Sequence, residues 1–580
     1  MKKLITYYLK PYYLRMTVGF FIKFFGTLMD LFLPWTLARM IDEVIPAGRR
    51  GDIFLWGVFM LICSVLAVTL SVIANRMASR VASDAIFTIR EDLFRKVMYL
   101  SNRQADEFTK PSLISRLTSD TYHVHQMIGR IQRLGVRAPI LLIGGIVMTL
   151  LLDPVLACVL LFVLPLLTAV VVAVSRKSIP LFIQLQESVD GFVRLVREDI
   201  AGIRVIKALS KEDYERSRFD KSNREVVDRE KRATITTAIT NPAMNLFLNL
   251  GLVCVVIAGA YRVNEGLSKV GAILAFMTYF TIILNALMSI SRMFVIISKA
   301  AASAERIDKV LEGEVETSFM VKSQSPKQEE REVFLEFDHV YFSYDGTGNH
   351  LVDVNVRLKK GETLGIIGAT GSGKSTIVKL LMRYYDPDQG VIRIEGVDIR
   401  TMNLRELRSS IGTVFQNDVI FEESILENIR MGRDMTEEEA KRAAGFAKAL
   451  DFIEEKGGLK EDLNIRGANL SGGQKQRILI ARALAADPKL VILDDSSSAL
   501  DYKTDFQLRK ELKENFTNTT CILIAQRVSS VRNSDLILVM EEGVVIGQGS
   551  HEELMKNCEG YREIAISQMG EEGEERTDEG

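Results

Sequence analysis

Gly368 to Ser375 is the segment whose residue types and spacing point most directly to chemistry, because GATGSGKS fits the pattern G-x-x-x-x-G-K-[ST]. A strand-like run, Thr363 to Ile367, leads into it, and an apolar helical run, Thr376 to Met382, follows it. A strand before and a helix after distinguish a phosphate-binding loop from an ordinary glycine-rich turn. The sequence therefore predicts that this loop holds a chain of phosphates.

Each residue type in this loop has a defined use. Gly371 and Gly373 let backbone N–H groups turn towards phosphate oxygens, whereas Lys374 supplies a cation to the outer phosphates. Ser375 offers a hydroxyl to Mg²⁺. The predicted nucleotide-binding residues of the segment are Gly368, Thr370, Gly371, Ser372, Gly373, Lys374, Ser375 and Thr376.

A second motif supplies carboxylates. The apolar run Leu490 to Leu493 reads as a buried strand and ends in Asp494 and Asp495. Asp494 suits Mg²⁺, held through water. Acids after a strand can also cap a helix, but beside a phosphate loop this alternative is a small minority. The two motifs together predict a nucleoside triphosphate bound with Mg²⁺.

These motifs occupy the second half of a chain of 580 residues with 47% hydrophobic residues. Its mean hydropathy, +0.12, is high for a wholly soluble protein of this size. The composition excludes disorder, collagen and a small disulfide-stapled scaffold. A net charge of -1 gives no reason to expect a nucleic-acid partner. The five cysteines are scattered, so neither a disulfide framework nor a zinc site is expected.

The apolar residues are concentrated before about Ser298, in runs close to the roughly 20 residues that a membrane-spanning helix needs. Asp153-Pro154 divides one long run and predicts an external turn between two helices. The third run is short unless it extends back towards Ile131, and the first contains Lys23 and Asp30. The six predicted spans are Thr17 to Trp35, Ile53 to Ala74, Pro139 to Leu152, Pro154 to Val174, Ala243 to Tyr261 and Gly271 to Ile297.

Six crossings place both termini on one side, and the basic start of the chain predicts that this side is the cytoplasm. Loops of about sixty polar residues follow the second and fourth spans and have helical periodicity. Each is predicted to be a cytoplasmic helix pair with a tip near Lys110 to Asp120 or Gly202 to Asp213. From the residues alone, these tips are either contacts with the soluble part or merely solvated connections.

The predicted fold is a multi-domain membrane protein: an all-α six-helix transmembrane domain with long cytoplasmic helical extensions, followed by an α/β P-loop nucleotide-binding domain. We place the transmembrane domain at 1–315, a polar linker at 316–332, and the nucleotide-binding domain at 333–570. The acidic end, 571–580, reads as a solvated tail.

LSGGQKQR, at Leu470 to Arg477, indicates which branch of the P-loop proteins this sequence resembles. With the phosphate loop, Gln416 in TVFQND and SALD at Ser498 to Asp501, it resembles the nucleotide-binding domain of ATP-binding cassette (ABC) transporters. The six preceding spans make the chain similar to exporters. NPAMN, EDIAGIRVIKALSKE and GSHEEL are also typical of half-size exporters, so the resemblance covers essentially the whole chain.

The resemblance implies a dimer, because in this family two nucleotide domains pair head to tail. Each ATP then lies between the phosphate loop of one domain and the LSGGQ of the other. Tyr344 would stack on adenine, although Tyr341 in that role, or plain core packing of Tyr344, stays possible. Gln416 would contact Mg²⁺ and couple to the membrane helices, and Asp501 would contact the opposite site. The residues implied to act on the partner's ATP are Ser471, Gly472, Gly473 and Gln474.

The same resemblance makes the two loop tips into coupling helices, near Leu113 to Thr121 and Ile203 to Lys211. These helices would contact the nucleotide domains. The resemblance therefore favours a contact role for the tips over the alternative of merely solvated connections. The implied location is the bacterial cytoplasmic membrane, with both termini and the nucleotide-binding domain in the cytoplasm.

The sequence departs from the family pattern at the catalytic centre. Where the family has a Glu that polarises the attacking water, this chain has Asp495, which is one methylene shorter. Because a general base must come within roughly 2.6 to 3.2 Å of its water, this retraction is expected to slow hydrolysis. Gln526 replaces the switch histidine, and glutamine cannot titrate near neutrality. Asn464 to Gly467, NIRG, also lacks the glutamate of the usual Gly-Glu-Arg-Gly.

These changes predict a site that binds ATP but hydrolyses it slowly. Because LSGGQ is intact, the chain is expected to complete a competent site on an unlike half-transporter that supplies the Glu and the His. The resemblance is thus to the degenerate-site subunit of heterodimeric bacterial multidrug exporters. The alternatives are a homodimeric exporter with slow ATPase, a lipid flippase, and an ATP-gated channel or sensor.

The expected cargo is a hydrophobic or amphipathic small molecule, because polar residues in the spans lie among apolar and methionine neighbours. Asp30 is the best single carboxylate for a cavity and would suit a cationic drug. It could equally pair with Lys23 or with a neighbouring helix, or lie at the membrane edge if the first span is shifted. Asn245 and Asn249 share a helix face, which suits interhelical hydrogen bonds as well as cargo. The cavity candidates are Asp30, Asn245, Asn249, Asn285 and Arg292.

Overall fold

The computed structural model describes residues 2–316, 332–346, 348–416, 418–496 and 499–569. Most of the predicted linker, 316–332, and the whole predicted acidic tail, 571–580, lie outside the described residues. The chain divides into two compact units. The membrane unit comprises Met1–Met98 and Thr109–Gly313, whereas the nucleotide unit comprises Tyr99–Phe108 and Glu314–Gly580.

The membrane unit is helical throughout its described length, apart from short turns. Six stretches of helix are long and apolar enough to cross a membrane, which confirms the six predicted spans. The third stretch, Lys110–Leu152, extends back beyond Ile131, as its short apolar run required. The helices are α1 (Lys2–Leu9), α2 (Tyr13–Arg39), α3 (Arg50–Met98), α4 (Asn102–Phe108), α5 (Lys110–Ser115), α6 (Thr121–Arg130), α7 (Val136–Leu152), α8 (Pro154–Ala201), α9 (Ile203–Ala208), α10 (Glu212–Ala238), α11 (Thr240–Asn264) and α12 (Val270–Leu311), of which α4 belongs to the nucleotide unit.

Asp153 explains why α7 and α8 form a hairpin rather than one helix. Its carboxylate accepts hydrogen bonds from the backbone N–H groups of Val155 and Leu156, at 3.0 and 3.3 Å, and so caps α8. The other carboxylate oxygen accepts from Arg262 Nε at 2.9 Å. Since the carboxylate is buried, this ion pair also ties the turn to α11.

The second long loop has the predicted shape, with the short helix α9 between α8 and α10. In the first loop the bend lies earlier than the predicted Lys110 to Asp120. The chain turns between Met98 and Lys110 through α4, and Thr109 has a φ of 60°. Pro111 is in the first turn of α5, where its missing N–H removes no helical hydrogen bond. Lys110 therefore begins a helix rather than forming the tip.

The nucleotide unit contains two sheets. The antiparallel sheet has the order β2-β1-β4-β5, and the second sheet, β10-β9-β3-β8-β7-β6, has a parallel centre. The strands are β1 (Val333–Phe342), β2 (Leu351–Lys359), β3 (Thr363–Gly368), β4 (Gln389–Ile394), β5 (Val397–Asp398), β6 (Ile411–Val414), β7 (Leu490–Asp494), β8 (Thr520–Ile524), β9 (Leu536–Glu541) and β10 (Val544–Gly549).

The helices of the nucleotide unit contribute to different hydrophobic cores. One core joins the two sheets to the helix that follows the phosphate loop, and another surrounds the helix that follows LSGGQ. The helices are α13 (Lys374–Leu381), α14 (Leu404–Ser409), α15 (Ile425–Arg430), α16 (Glu437–Phe446), α17 (Leu450–Glu455), α18 (Gly472–Leu484), α19 (Tyr502–Asn515), α20 (Val528–Val531), α21 (His551–Asn557) and α22 (Glu559–Met569).

Candidate ATP site and membrane cavity

The sheet brings the predicted catalytic residues to one edge. In the parallel part, Ile366 of β3 pairs with Ile524 of β8, and Asp494 of β7 pairs with the same residue. Because parallel strands end at a common edge, the phosphate loop after β3, Asp495 after β7 and Gln526 after β8 emerge together.

The phosphate loop has the backbone geometry that its glycines allow. Gly371 and Gly373 have φ values of 86° and 100°, in the left-handed region that other residues adopt at a cost. A Cβ at Gly373 would lie 2.9 Å from Leu351 Cδ2, whereas one at Gly371 would meet nothing within 4 Å. The loop is thus closely packed beneath Gly373 and open above Gly371, as a phosphate cradle requires.

Lys374 closes the loop on itself. Its Nζ donates to the backbone carbonyls of Gly368 and Ala369, at 2.9 and 2.7 Å, and the side chain is buried. Burial lowers the pKa of the Lys374 ammonium, and the carboxylates of Asp494 and Asp495 partly offset this effect. The cation is therefore positioned by carbonyl dipoles at the mouth of the loop, where phosphate oxygens would compete for it.

A hydroxyl and a carboxylate meet beside the loop. Ser375 Oγ donates to Asp494 Oδ2 at 3.0 Å, and Asp494 is buried. Burial raises the pKa of the Asp494 carboxyl, and the neighbouring Asp495 raises it further. A cation such as Mg²⁺ would offset both the burial of the Asp494 carboxylate and its repulsion from Asp495. Ser375 and Asp494 therefore fit this ion. Within the described ranges, no group of three or more His, Cys, Asp or Glu side chains could hold a metal. Phosphate oxygens and water would therefore supply the other ligands.

Asp495 is held in a defined position at the sheet edge. Its φ is 51°, and its backbone N–H donates to Ile524 O at 2.9 Å. Gln416, which follows β6, donates from Nε2 to Asp495 Oδ2 at 3.4 Å. The short carboxylate and the predicted magnesium-sensing glutamine are thus neighbours, although they are 79 positions apart in sequence.

The Gln526 side chain is exposed, and its backbone is fixed by the end of the chain. Gln568 in α22 donates from Nε2 to Gln526 O at 2.8 Å and accepts from Val528 N–H at 2.8 Å. This clamp, which sequence reasoning missed, holds the segment after β8 from both sides of Arg527. In the sequence, only Gln568, one polar residue near the C-terminus, could have indicated this contact. Its partners cannot be recognised without the fold.

Tyr344 is half-buried in an aromatic cluster. Its hydroxyl donates to Thr376 Oγ1 at 3.3 Å, and Lys379 Nζ lies 5.0 Å from the centre of its ring. Tyr385 packs edge-on against it, with ring centres 5.1 Å apart, and donates from its hydroxyl to Asp106 of α4 at 2.5 Å. This nucleotide-unit contact comes from Tyr99–Phe108, upstream of the predicted coupling segment Leu113 to Thr121.

The LSGGQ segment forms the start of α18. Ser471 caps the helix, accepting from Gln474 N–H, while the Gln474 side chain accepts from Ser471 N–H. Gly473 is close to the loop after β7, since a Cβ there would lie 3.1 Å from Ala499 O. The helix packs in a different core from α13, so LSGGQ and the phosphate loop are carried by separate parts of the unit.

Two protein families match the chain. The ABC transporter transmembrane region matches residues 16–287, and the ABC transporter domain matches residues 351–498. The ABC transporter ATP-binding protein YfiB of Bacillus subtilis is 33% identical over 578 residues, 99% of this chain and 100% of that protein. The chain belongs to the ABC transporter family.

Two further comparisons relate this ABC transporter to an efflux protein and to a solved structure. A multidrug efflux ATP-binding/permease protein of Mycobacterium bovis is 30% identical over 549 residues, which cover 94% of this chain and 46% of that protein. A bacterial Atm1-family ABC exporter, solved with ATP bound, has a TM-score of 0.79 and 24% identity over 96% of this chain and 98% of that chain. The chain therefore has the exporter half-transporter fold, with a membrane domain followed by an ATP-binding domain.

Asp501 of this ABC transporter caps the start of α19, directly after SALD, of which Ser498 lies outside the described residues. The Asp501 carboxylate accepts from Thr504 N–H at 2.9 Å and from Thr504 Oγ1 at 2.7 Å. These hydrogen bonds lower the pKa of the Asp501 carboxyl. The side chain is exposed and ionised, which suits its predicted role opposite a partner.

In the membrane unit, Asp30 pairs with a neighbouring helix, which is one of the three alternatives to a free carboxylate in a cavity. Its Oδ2 lies 3.0 Å from Arg137 NH2 in α7. Lys23, the other partner considered, donates to Ser71 and Asn75 in α3 instead. Asp30 is therefore neutralised within the chain and does not present a free carboxylate to a cationic drug. The other cavity candidates, each exposed in the single chain, are Asn245, Asn249, Asn285 and Arg292.

The Ser471 cap offers a test of the LSGGQ segment of this ABC transporter. Ser471→Ala is expected to cost about 1 kcal/mol of stability through the lost cap and to reduce the ATPase rate of the assembled dimer at least tenfold. Ser550→Ala removes an equivalent capping box from α21, outside the predicted ATP site. Thermal unfolding and steady-state ATPase of both variants separate the two effects. Equal losses of activity would show that Ser471 acts through stability alone.

Proposed function

We propose that this exporter half works in a heterodimer in the bacterial cytoplasmic membrane, with both termini and the nucleotide-binding domain in the cytoplasm. Its own phosphate loop would bind ATP with Mg²⁺ and hydrolyse it slowly. Its LSGGQ would complete the active site of an unlike partner that supplies the catalytic Glu and switch His. The assembly would move amphipathic drugs or lipid-like compounds out of the cell by alternating access.

The observation that carries the proposal is the pairing of two departures at one sheet edge. Asp495 and Gln526 follow β7 and β8, which are adjacent in the sheet. A carboxylate retracted by one methylene is poorly placed to take a proton from water. A glutamine in place of histidine cannot carry a positive charge towards the γ-phosphate. Either change alone would slow hydrolysis, and together they suit a site that holds ATP for long periods.

Binding, in contrast, is supported by every element that a nucleotide needs. The phosphate loop has its two left-handed glycines, Lys374 is in position, and Ser375 lies beside Asp494. These features would position ATP and its Mg²⁺, and the ion would supply charge neutralisation to the phosphates. A chain that had lost its use for ATP would have no reason to keep all of them.

The need for a second half is supported by the separation of the phosphate loop and LSGGQ within one unit. They pack in separate cores, which suits the head-to-tail pairing that the family resemblance implies, in which each segment faces the other domain. The multidrug efflux relative is about twice as long as the segment that aligns with this chain, since 46% of it is covered. That proportion suits a chain that works beside a second half.

The direct test is to purify the chain alone and together with the product of an adjacent transporter gene, and to reconstitute both in liposomes. We expect ATPase and dye transport only from the mixture. Asp495→Asn should change the mixture's ATPase less than twofold, whereas replacing the partner's catalytic Glu by Gln should abolish it. If the chain alone hydrolyses ATP and transports dye, and Asp495→Asn removes both, it is a homodimer that uses Asp495 as its base.

A further inference from the structure

Lys23 is a buried cation in the first predicted span. The residue is 3% exposed, and its Nζ donates to Ser71 Oγ at 2.7 Å and Asn75 Oδ1 at 3.1 Å. Both acceptors are neutral, so this basic group is buried in the span without a directly bonded carboxylate. Such a charge is expensive to bury, and a lysine that only reached for the membrane surface would expose its head group. Another role for the cation is therefore expected.

Lys23 belongs to a larger group of charges, which we term the basic cluster and define as Lys23, Arg133 and Arg137, with Asp30 as its acidic member. The segment Ile131–Gly135, which carries Arg133, and α7, which carries Arg137, both pack against α2, which carries Lys23 and Asp30. Asp30 bonds to Arg137 at 3.0 Å, whereas the Arg133 Nε donates to the neutral carbonyl of Gly129 at 3.0 Å. The cluster thus contains three basic side chains and one carboxylate, and the carboxylate is bonded to Arg137.

The backbone at the cluster is also unusual. Residues Ile131–Gly135, between α6 and α7, form a π-helical segment, a rare conformation that is frequent at functional sites. A Cβ at Gly135 would lie 3.1 Å from the sulfur of Met293, so α12 passes directly against the segment. Arg292, a cavity candidate, precedes this methionine. The cluster therefore lies where α12 approaches the helices that carry Lys23 and Arg133.

Its depth follows from helix geometry. Arg137 is fifteen residues before the end of α7 at Leu152, a distance of about 22 Å at a helical rise of about 1.5 Å per residue. The hydrocarbon core is about 30 Å thick. The cluster therefore lies in the third of the membrane farthest from the Asp153 turn. This is the depth at which the head group of an amphiphile in the cytoplasmic leaflet would enter.

We propose that the basic cluster of Lys23, Arg133 and Arg137 binds the anionic head group of the exported amphiphile, while the apolar spans receive its hydrocarbon part. This inference rests on the proposed export function and deepens it by assigning the charge of the cargo. The expected ligands share a phosphate, sulfonate or carboxylate group joined to an alkyl or aryl chain. A membrane lipid and a free amphiphile both meet this description. Guanidinium and ammonium groups bind such anions through charge-assisted hydrogen bonds.

The test compares two amphiphiles of equal chain length and opposite charge. The assembled dimer, in phosphatidylcholine liposomes, is titrated with dodecyl phosphate or dodecyltrimethylammonium while its ATPase rate is recorded. We expect dodecyl phosphate to stimulate ATPase at concentrations at least tenfold lower than dodecyltrimethylammonium. A second arm measures ATP-driven translocation of fluorescent phosphatidylglycerol and phosphatidylcholine. Translocation of phosphatidylglycerol alone would identify an anionic lipid as the source, and stimulation without it a free amphiphile.

Arg133→Gln tests the cluster directly, because the Arg133 Nε bonds only to a backbone carbonyl of its own helix turn in the described structure. The variant is expected to raise the half-maximal dodecyl phosphate concentration about tenfold, and Arg133→Lys to restore most of the affinity. Arg176→Gln, on α8, removes an exposed arginine elsewhere in the same unit and should leave the titration unchanged. An equal loss in both glutamine variants would overturn the proposed site.

The outcomes separate the charge assignment from the export function. Equal stimulation by both amphiphiles, or a preference for dodecyltrimethylammonium, overturns the anionic assignment while export stands. Failure of both amphiphiles to stimulate, in a preparation that transports no dye, overturns the proposed function and this inference together. Dye transport with neither amphiphile acting overturns only the inference.

Discussion

Combining Asp495→Glu with Gln526→His is expected to raise the rate of ATP hydrolysis at this chain's own site about 100-fold, within the range that a positioned general base contributes. Asp495 is already anchored by the bond from its backbone N–H to Ile524 O. Glutamate would carry the carboxylate one methylene further from this anchor, towards a nucleotide on the phosphate loop. A histidine after β8 would restore a group that can bear a proton near neutral pH.

The rate at this site is measured in a dimer whose partner has lost its catalytic Glu, so that all phosphate released comes from the site of interest. A single-turnover assay with labelled ATP follows the first hydrolysis event. Asp495→Asn with Gln526→Asn is the matched control, because it changes the same two positions without supplying a base. A gain of less than twofold in the Glu and His variant would mean that slow hydrolysis has another origin.

Lys374→Met is expected to weaken ATP binding at this chain's site at least 100-fold. The buried ammonium is the cation that the loop presents, and methionine fills a similar volume without charge. A charge-assisted hydrogen bond contributes about 1.5–3 kcal/mol, and the ammonium is expected to make more than one to the phosphates. The measurement is photolabelling with 8-azido-ATP, with bands from the two unlike chains resolved by mass.

Two control variants accompany this experiment. Lys360→Met removes an exposed lysine between β2 and β3 and should leave labelling unchanged. Lys374→Arg keeps the charge in a larger, planar group and is expected to restore binding only in part. A thermal unfolding curve for Lys374→Met checks that the carbonyls of Gly368 and Ala369 tolerate the loss of their donor. Labelling equal to that of the unchanged chain would remove Lys374 from the site.

The local features of the fold could be predicted from the sequence because their causes are local. A long run of apolar residues is unfavourable in water whatever the rest of the chain does. The six spans were therefore predicted correctly from the sequence. Asp153-Pro154 likewise marks a helix start through its own side chain, whose carboxylate caps α8 within three residues. The phosphate loop depends on glycines that must adopt left-handed backbone angles at their own positions.

The first cytoplasmic bend was placed too late because helix ends depend on more than propensity. The residues between Met98 and Lys110 give no helix-ending signal strong enough to interrupt the helical periodicity predicted for the loop. The turn there is stabilised by partners in the nucleotide unit, among them Tyr385, which is 279 residues away from Asp106. Long-range contacts of this kind override local preference and are invisible to a sliding window.

The sequence by itself determined the membrane and nucleotide domains, the six spans, the phosphate loop and the two residues, Asp495 and Gln526, that depart from the family pattern, since each depends on residue type and short spacing. Only the tertiary structure decided that β3, β7 and β8 bring Lys374, Asp495 and Gln526 to one edge, because strand order is set by packing between distant segments. The structure also decided that Asp30 pairs with Arg137, 107 residues away, and that Lys23 is buried against neutral groups. Charge balance in a membrane depends on which helices are neighbours, and the order of residues along the chain does not specify it.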